Sequence, residues 1–342
     1  MLFRSGLKMK FDYKNIDFLV LLPCPMKAAF GIIANQISIE YTARTGNRVN
    51  FLPVSGMDVE VIHDLMSIEN AEDFPAVMMI PGMGIPYSKR FMEKFRNADC
   101  FESIMDETNP TFREYGFYDP KHVYDIIGIS PIAFFADRSY HPDMDVPRSW
   151  EKLLNDPQYT RTVGMPGRED SGFQDFPIMA AYHLFGEDGV LQLARTARSC
   201  LLPAEMVRMA GSRHDLAPAV GILNYSMARA AGQKNSRCEF VWPEEGLFAG
   251  PITMLTRKSA PLKSRELAKE IVGMRTAGAF RIGGFYSAAD TEPLGSGKIM
   301  WHGWDFIEKN DINALSARLC KMMFDSCNLV RVSEALKKEY NK

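Results

Sequence analysis

Two long apolar stretches constrain the fold of this chain more than any other feature. The first, Tyr124–Ala136, is interrupted by Gly128 and Pro131, so it is too long for one ordinary strand and too broken for a helix. The second, Glu239–Thr256, has the same extended character, and the two bracket a segment of about 100 residues. We expect a chain that crosses from one lobe into another through the first stretch and returns through the second.

Outside these stretches, short apolar runs alternate with longer patterns of helical period, which is typical of an α/β protein. In the first hundred residues this alternation predicts three β-α units. The predicted strands are Ile16–Leu22, Val49–Val54 and Ala76–Ile80, and the predicted helices are 27–45, with Phe30, Ile33, Ala34, Ile37 and Tyr41 inward, and 58–66, with Val59, Ile62 and Met66 inward.

The segment between the two stretches has its own α/β pattern. It predicts strands at Thr162–Met165 and Val220–Leu223, with helices at Phe176–Leu184 and Gly189–Thr196 between them. After the second stretch, a helix with Ser264 as its N-cap and with Leu267, Ile271, Met274 and Ala277 inward runs to Gly283-Gly284, and a last helix starts near Asp311.

These patterns predict an α/β fold of two lobes, each a mixed, mostly parallel sheet flanked by helices, with two crossings that serve as hinges. Residues 1–12 are expected to be a disordered tail. The first lobe is predicted to be discontinuous, with residues 13–128 and 256–342, and the second lobe to comprise residues 129–255.

Charge and composition exclude several classes of function. Lys and Arg total 40 against 42 Asp and Glu, so no net field attracts nucleic acid or an anionic membrane. No apolar run approaches the roughly 20 residues of a spanning helix. Phe18–Leu22 is shorter than a secretory core of about 7–15 residues, so no export signal is expected in the chain. The six cysteines form no CxxC pair, which argues against a zinc or redox motif and fits a reducing compartment.

Motifs of catalysis are missing from the sequence. There is neither an HExxH zinc motif nor a GxSxG nucleophile motif, and Gly295–Lys298 lacks the upstream glycine of a phosphate-binding loop. The motifs therefore give no positive sign of an enzyme.

Loops that follow a predicted strand and precede a helix are the candidate ligand sites, because helix N-termini there present free backbone N–H groups. Lys27, after Pro25, would pair with an anion, although a solvated surface lysine is an equal alternative. Ser55-Gly56 and Gly82-Met83 occupy the same kind of loop after the second and third strands.

A polar, glycine-rich loop follows the first predicted strand of the second lobe. In it, Ser171 and Gly172 would hold an oxyanion through backbone N–H groups, with Arg168 as a bidentate partner. The alternative is that Asp170 or Ser171 only caps the following helix.

Four groups of residues carry a resemblance to a known family. They are Ala133–Arg138 with Pro147–Leu154, Val163–Pro166 with Ser171-Gly172 and Leu184–Asp188, Val220–Ser226, and Trp242–Gly246 with Pro251–Met254 and Ala268–Phe285. In this order and spacing they resemble periplasmic binding proteins of type II, in the branch of iron(III)-type substrate-binding proteins of ABC importers.

The resemblance implies a binding protein and not an enzyme, with no resident cofactor. Its small ligand would be held by hinge closure between the lobes and delivered to a membrane permease. The resemblance adds Asn224, Tyr225 and Glu245 to the candidate ligand-binding residues. Tyr225 would be a phenolate ligand of ferric iron. Asn224, however, stands where this branch has a second tyrosine, which favours hydrogen bonding or stacking on an organic ligand. The implied protein is a monomer of the periplasm or cell surface that carries Fe³⁺, an iron complex or a small organic anion.

The rival hypothesis is a cytosolic enzyme or ligand sensor on the same fold. It is favoured by the six unpaired cysteines and by the missing export signal. Fold alone does not decide between the two hypotheses.

Overall fold

The structure is a computed structural model that describes residues 9–329 except 24–25, 57, 107–108, 140, 169–171, 213, 215–216, 292–294 and 296; at 168, 172 and 173 only the backbone is described. Its strands are β1 (Phe18–Leu22), β2 (Phe51–Ser55), β3 (Val77–Pro81), β4 (Phe101–Glu102), β5 (Asp125–Asp137), β6 (Val163–Arg168), β7 (Gly172–Phe173), β8 (Ala197–Leu201), β9 (Val220–Asn224), β10 (Cys238–Val241), β11 (Leu247–Arg257), β12 (Tyr286–Ser287) and β13 (Ile299–Met300). Its α-helices are α1 (Lys27–Thr45), α2 (Val59–Ser67), α3 (Lys89–Phe91), α4 (Pro110–Glu114), α5 (Trp150–Asn155), α6 (Phe176–Thr196), α7 (Pro203–Met209), α8 (Tyr225–Gly232), α9 (Leu262–Ile271), α10 (Met274–Gly283), α11 (Trp304–Lys309) and α12 (Ile312–Ser326).

The first compact unit comprises the described residues up to 129 together with 251–291. In its sheet β1 lies between β2 and β3 and is parallel to both, and β11 pairs antiparallel with β3. All five residues of β1 are buried, because helices cover both faces of a parallel sheet. Phe18, Phe30, Ile37 and Phe280 belong to the core on one of these faces.

The second compact unit comprises the described residues of 130–250 and of 295–329. Here β6 lies between β8 and β9 and is parallel to both, and β5 pairs antiparallel with β9. The strand order is therefore the same in the two units: three parallel strands in the order second, first, third, followed by one antiparallel strand. That antiparallel strand is β11 in the first unit and β5 in the second, and both strands run from one unit into the other.

The predicted lobe boundaries need correction at the C-terminal end. We expected two crossings and placed residues 256–342 in the first lobe, but the chain passes between the units a third time, between 291 and 295. Leu319 and Met323 of α12 are fully buried in the core of the second unit, and Ser316 Oγ donates a hydrogen bond of 2.8 Å to Asp175 beside α6. This burial explains why the described C-terminal residues belong to the second unit.

Most predicted elements occur within two or three residues of their expected places. The helix at 27–45 is α1, in which Phe30, Ala34, Ile37 and Tyr41 are buried. The two helices predicted around Gly186 form α6, which is broken at that glycine.

The face of the second helix was predicted wrongly. Val61 and Leu65 are buried in α2, whereas Val59 is 76% exposed and Met66 is also exposed. Both sets of apolar residues have helical spacing, so periodicity alone could not choose between them.

The predicted helix from Ser264 to Gly283 is two helices. Pro261 is the N-cap of α9, and Ser264 is buried inside the first turn, where its Oγ donates to Asp17 Oδ1 at 2.6 Å. The break between α9 and α10 leaves Met274, predicted to point inward, 63% exposed.

The start of the described chain is ordered, contrary to the prediction for 9–12. The backbone N–H of Lys10 donates to Asp64 Oδ2 and its Nζ to Asp58 Oδ2, both at 2.8 Å. Residues 1–8 lie outside the described residues. No helix among the described residues is long and apolar enough to cross a membrane.

Candidate functional site

The predicted site residues of the first unit lie along one edge of its sheet. Because β1, β2 and β3 are parallel, their carboxyl ends share that edge. Lys27 opens α1 after β1, Ser55-Gly56 ends β2, and Gly82-Met83 follows β3. Pro25 lies outside the described residues. The structure therefore brings the other predicted residues of this unit together.

Backbone contacts hold these loops at the strand ends. The N–H of Gly56 donates to the carbonyl of Leu22 at 2.8 Å, and a Cβ at Gly56 would lie only 3.2 Å from that oxygen. Gly82 has a φ of 79° and donates to the carbonyl of Pro251 at 2.8 Å. Position 82 requires glycine because other residues rarely adopt this backbone conformation.

Lys27 is exposed at the N-terminus of α1. The backbone N–H groups of Met26 and Lys27 both donate to the carbonyl of Pro23, and no described side chain caps the helix. A positive side chain and the positive end of a helix dipole thus meet at this edge, which favours an anion.

The second unit places its predicted residues along the equivalent edge. Arg168 ends β6 and pairs with Gly172 of β7, and Asn224 ends the neighbouring parallel strand β9. Tyr225 is the first residue of α8. Ser171 lies outside the described residues, and only the backbone of Arg168 and Gly172 is described.

Asn224 has a capping role in the structure. Its Oδ1 accepts hydrogen bonds of 3.1 Å from the backbone N–H and the hydroxyl of Ser226, which caps α8. Its amide nitrogen lies 3.5 Å from Ser130 Oγ on β5. Ser130 was missed by sequence reasoning, because only strand pairing brings it beside a residue 94 positions later.

Tyr225 is held by aromatic rings and by a cation. Its ring packs edge-on against Phe240 and Trp242, with centroid distances of 5.4 and 6.1 Å. The guanidinium of Arg229 lies 5.7 Å from the ring centroid and donates to the Tyr225 hydroxyl at 3.4 Å. Arg229 was also missed, although its position four residues after Tyr225 on a helix is the signal that could have found it.

Glu245 contacts a helix terminus. Its two carboxylate oxygens accept hydrogen bonds from the backbone N–H groups of Trp150 and Glu151, at 2.9 and 3.0 Å. Both oxygens are thus engaged at the start of α5, where Glu245 caps the helix.

The described residues contain no group of three or more His, Cys, Asp and Glu side chains placed to hold a metal ion. Tyr225 was the only predicted metal ligand, and the described side chains around it include the rings of Phe240 and Trp242 and the guanidinium of Arg229.

A sequence model described as "Bacterial extracellular solute-binding protein" matches residues 72–310, which is more than half of the chain. The chain belongs to this family. This solute-binding protein is therefore a member of a family of binding proteins and not of enzymes, as the sequence predicted. No curated protein sequence matches the chain.

Solved structures confirm the predicted fold of this solute-binding protein. The Trichodesmium protein IdiA (FutA), in complex with iron and citrate, is similar with a TM-score of 0.59 and 15% identity over 90% of this chain and 99% of that one. Apo ferric ion-binding protein A of Pasteurella haemolytica is similar with a TM-score of 0.61 and 14% identity over 91% of this chain and 98% of that one. An ABC transporter of Clostridium perfringens is similar with a TM-score of 0.59 and 14% identity over 91% of this chain and 99% of that one. At these identities the likeness shows the periplasmic-binding-protein fold alone.

Proposed function

We propose that this solute-binding protein captures a small anionic solute for an ABC importer, either an organic anion or an anionic iron complex. Two features support the proposal. The family is one of solute-binding proteins, and in both units the candidate residues lie at the carboxyl edge of parallel strands, where α/β sheets bind ligands. Hinge closure of the two units around the ligand is part of the proposal.

The contact between Arg229 and Tyr225 is the observation that carries the choice of an anion. A guanidinium 3.4 Å from the tyrosine hydroxyl repels a bare ferric ion at that oxygen and attracts a carboxylate or an anionic complex. Asn224, the neighbour of Tyr225, supplies a neutral amide and no second phenolate. Lys27 adds a second positive charge, on the first unit.

The proposed partners follow from the family. We propose that a membrane permease receives the solute, that the protein acts as a monomer, and that it works in the periplasm or at the cell surface. The described family is extracellular, which supports this location.

Thermal unfolding with chosen anions tests the proposal. Citrate or ferric citrate is expected to raise the Tm, because a ligand that binds only the folded state stabilises it. Arg229→Gln is expected to weaken that binding about tenfold or more, since it removes a charge-assisted contact. Tyr225→Phe should weaken it as well.

Arg208→Gln is the matched control, because Arg208 is exposed on α7 and belongs to neither set of candidate residues. It should leave the Tm shift unchanged. If citrate, ferric citrate, phosphate and a phosphonate all leave the Tm of the unaltered protein where it was, or if Arg229→Gln binds as well as the unaltered protein, the proposal is wrong.

A further inference from the structure

An open surface cavity lies within the second unit, apart from the candidate residues described above. Its volume is about 720 Å³, within the range of small-molecule sites. Its walls are the loop after β5, the start of α5 and the edge strand β10 with the loop that follows it. The lining residues that carry the argument are Arg138, Asp143, Arg148, Lys152, Glu239 and Glu244.

The direction of side chains on β10 separates this cavity from Tyr225. Successive side chains of a strand point to opposite faces of the sheet. Phe240 packs against Tyr225, whereas its neighbour Glu239 lines the cavity. The cavity is therefore on the other face of the sheet, and a ligand in it does not touch Tyr225.

Some charges of the cavity neutralise one another. Arg148 pairs with Glu239 at 2.6 Å, and Lys152 pairs with Asp145 at 3.4 Å. Asp143 and Glu244 form no ion pair with any residue that the structure describes. Both of these acids are exposed at the rim.

Arg138 lines the cavity and forms no ion pair with any residue that the structure describes. Its Nε is buried, and no described residue accepts a hydrogen bond from it. The guanidinium thus lacks a charged partner among the described residues, and a group bound in the cavity can supply one. Because a guanidinium prefers a carboxylate or a phosphate, that partner is an anionic group.

We propose that this cavity binds a small zwitterion of the amino-acid or dipeptide class. Its carboxylate would contact Arg138, and its ammonium group would lie between Asp143 and Glu244 at the rim. The two acids disfavour a ligand that carries negative charge alone, because like charges repel in a partly desolvated site. This second site is independent of the anion site proposed around Tyr225.

Amide NMR titrations of the whole protein test the proposal with four probes: L-alanyl-L-alanine, N-acetyl-L-alanine, L-alanine amide and inorganic phosphate. The first is a zwitterion, the second and fourth are anions, and the third is a cation. We expect the dipeptide to bind saturably and to shift amides of 138–152 and 239–244. The three other probes should bind about tenfold more weakly, because each lacks one of the two charged contacts.

Arg138→Gln should weaken dipeptide binding about tenfold or more, while Arg208→Gln should not change it. Should Arg138→Gln fail to fold, the doubly changed Asp143→Asn, Glu244→Gln protein serves instead, because both side chains are exposed. In that protein the dipeptide should bind no better than N-acetyl-L-alanine.

Three results would overturn the proposal: no shifts with the dipeptide at millimolar concentration, shifts confined to 224–229, or equal affinity in the unaltered and Arg138→Gln proteins. Shifts confined to 224–229 would place the dipeptide at the Tyr225 site. A failure here leaves the anion proposal untouched, because citrate and ferric citrate test that site separately.

Discussion

At the scale of the residue, a buried histidine makes the stability of the second unit depend on pH. His302 is 8% exposed, stacks on Phe306 at 4.2 Å, and has its Nδ1 3.2 Å from Nδ1 of His183. Burial, with a smaller contribution from His183, lowers the pKa of His302 to about 3. The folded protein therefore binds fewer protons than the unfolded chain between about pH 6.5 and pH 3, and stability falls as the pH decreases through that range.

We predict that His302→Phe flattens this dependence. Phenylalanine keeps the stacking on Phe306 and cannot be protonated. At pH 5 the histidine makes unfolding easier by about 2 kcal/mol relative to neutral pH, and the variant should lose most of that difference. Urea unfolding followed by tryptophan fluorescence at pH 7 and pH 5 measures it. All four tryptophans (Trp150, Trp242, Trp301 and Trp304) lie in the second unit, so the signal reports on that unit.

His63→Gln is the control, because His63 is exposed on α2 of the first unit. It should leave the pH dependence of the tryptophan signal unchanged. An equally steep decrease in the stability of His302→Phe and of the unaltered protein would contradict the assignment to His302.

The sequence predicted the candidate loops but missed contacts between residues that are far apart in the chain. The candidate loops were found because a strand end followed by a helix start is a local pattern. The contact of Ser130 with Asn224 and that of Glu245 with Trp150 join residues more than 90 positions apart. No local pattern contains such a contact, so Ser130 and the capping contact of Glu245 were both missed.

At the scale of the element, α5 shows how a short helix depends on a distant side chain. Ser149 caps it locally, since its Oγ accepts from the N–H of Lys152 at 3.0 Å. The N–H groups of Trp150 and Glu151 are satisfied by Glu245, whose negative charge also suits the helix N-terminus. The first cap is adjacent to the helix in sequence, whereas the second is about 95 positions away and no local pattern contains it.

We predict that Glu245→Gln destabilises the second unit by about 1 kcal/mol, because the amide retains only one acceptor oxygen and has no charge. The urea midpoint of the tryptophan signal measures the loss. We expect citrate affinity to stay unchanged, since both carboxylate oxygens of Glu245 are already engaged at the start of α5. Glu244→Gln, at an exposed neighbouring position, should leave the midpoint in place. A loss of citrate affinity in Glu245→Gln would restore the role that the sequence suggested.

At the scale of the whole molecule, two units with the same strand order place their candidate residues at the same kind of edge. The sequence predicted this architecture because the two crossing stretches and the β-α alternation are long-range patterns of hydrophobicity. It missed the third passage between the units, because nothing in the pattern of α12 shows which core its apolar face joins. Leu319 and Met323 give α12 an apolar stripe, and the sequence does not say which unit that stripe packs against.

The last prediction concerns closure. A ligand shifts a conformational equilibrium only by its difference in affinity between the two states. If citrate or ferric citrate contacts residues of both units, it must favour the closed state, and the radius of gyration from small-angle scattering should fall as the ligand saturates the protein. Arg229→Gln should need a higher ligand concentration for the same decrease in the radius of gyration.

A rise in Tm without any change in the scattering would mean that the ligand binds one unit alone. Stabilisation needs only binding to the folded state, whereas compaction needs contacts that exist only on closure. Scattering and thermal unfolding together therefore separate hinge closure from simple binding.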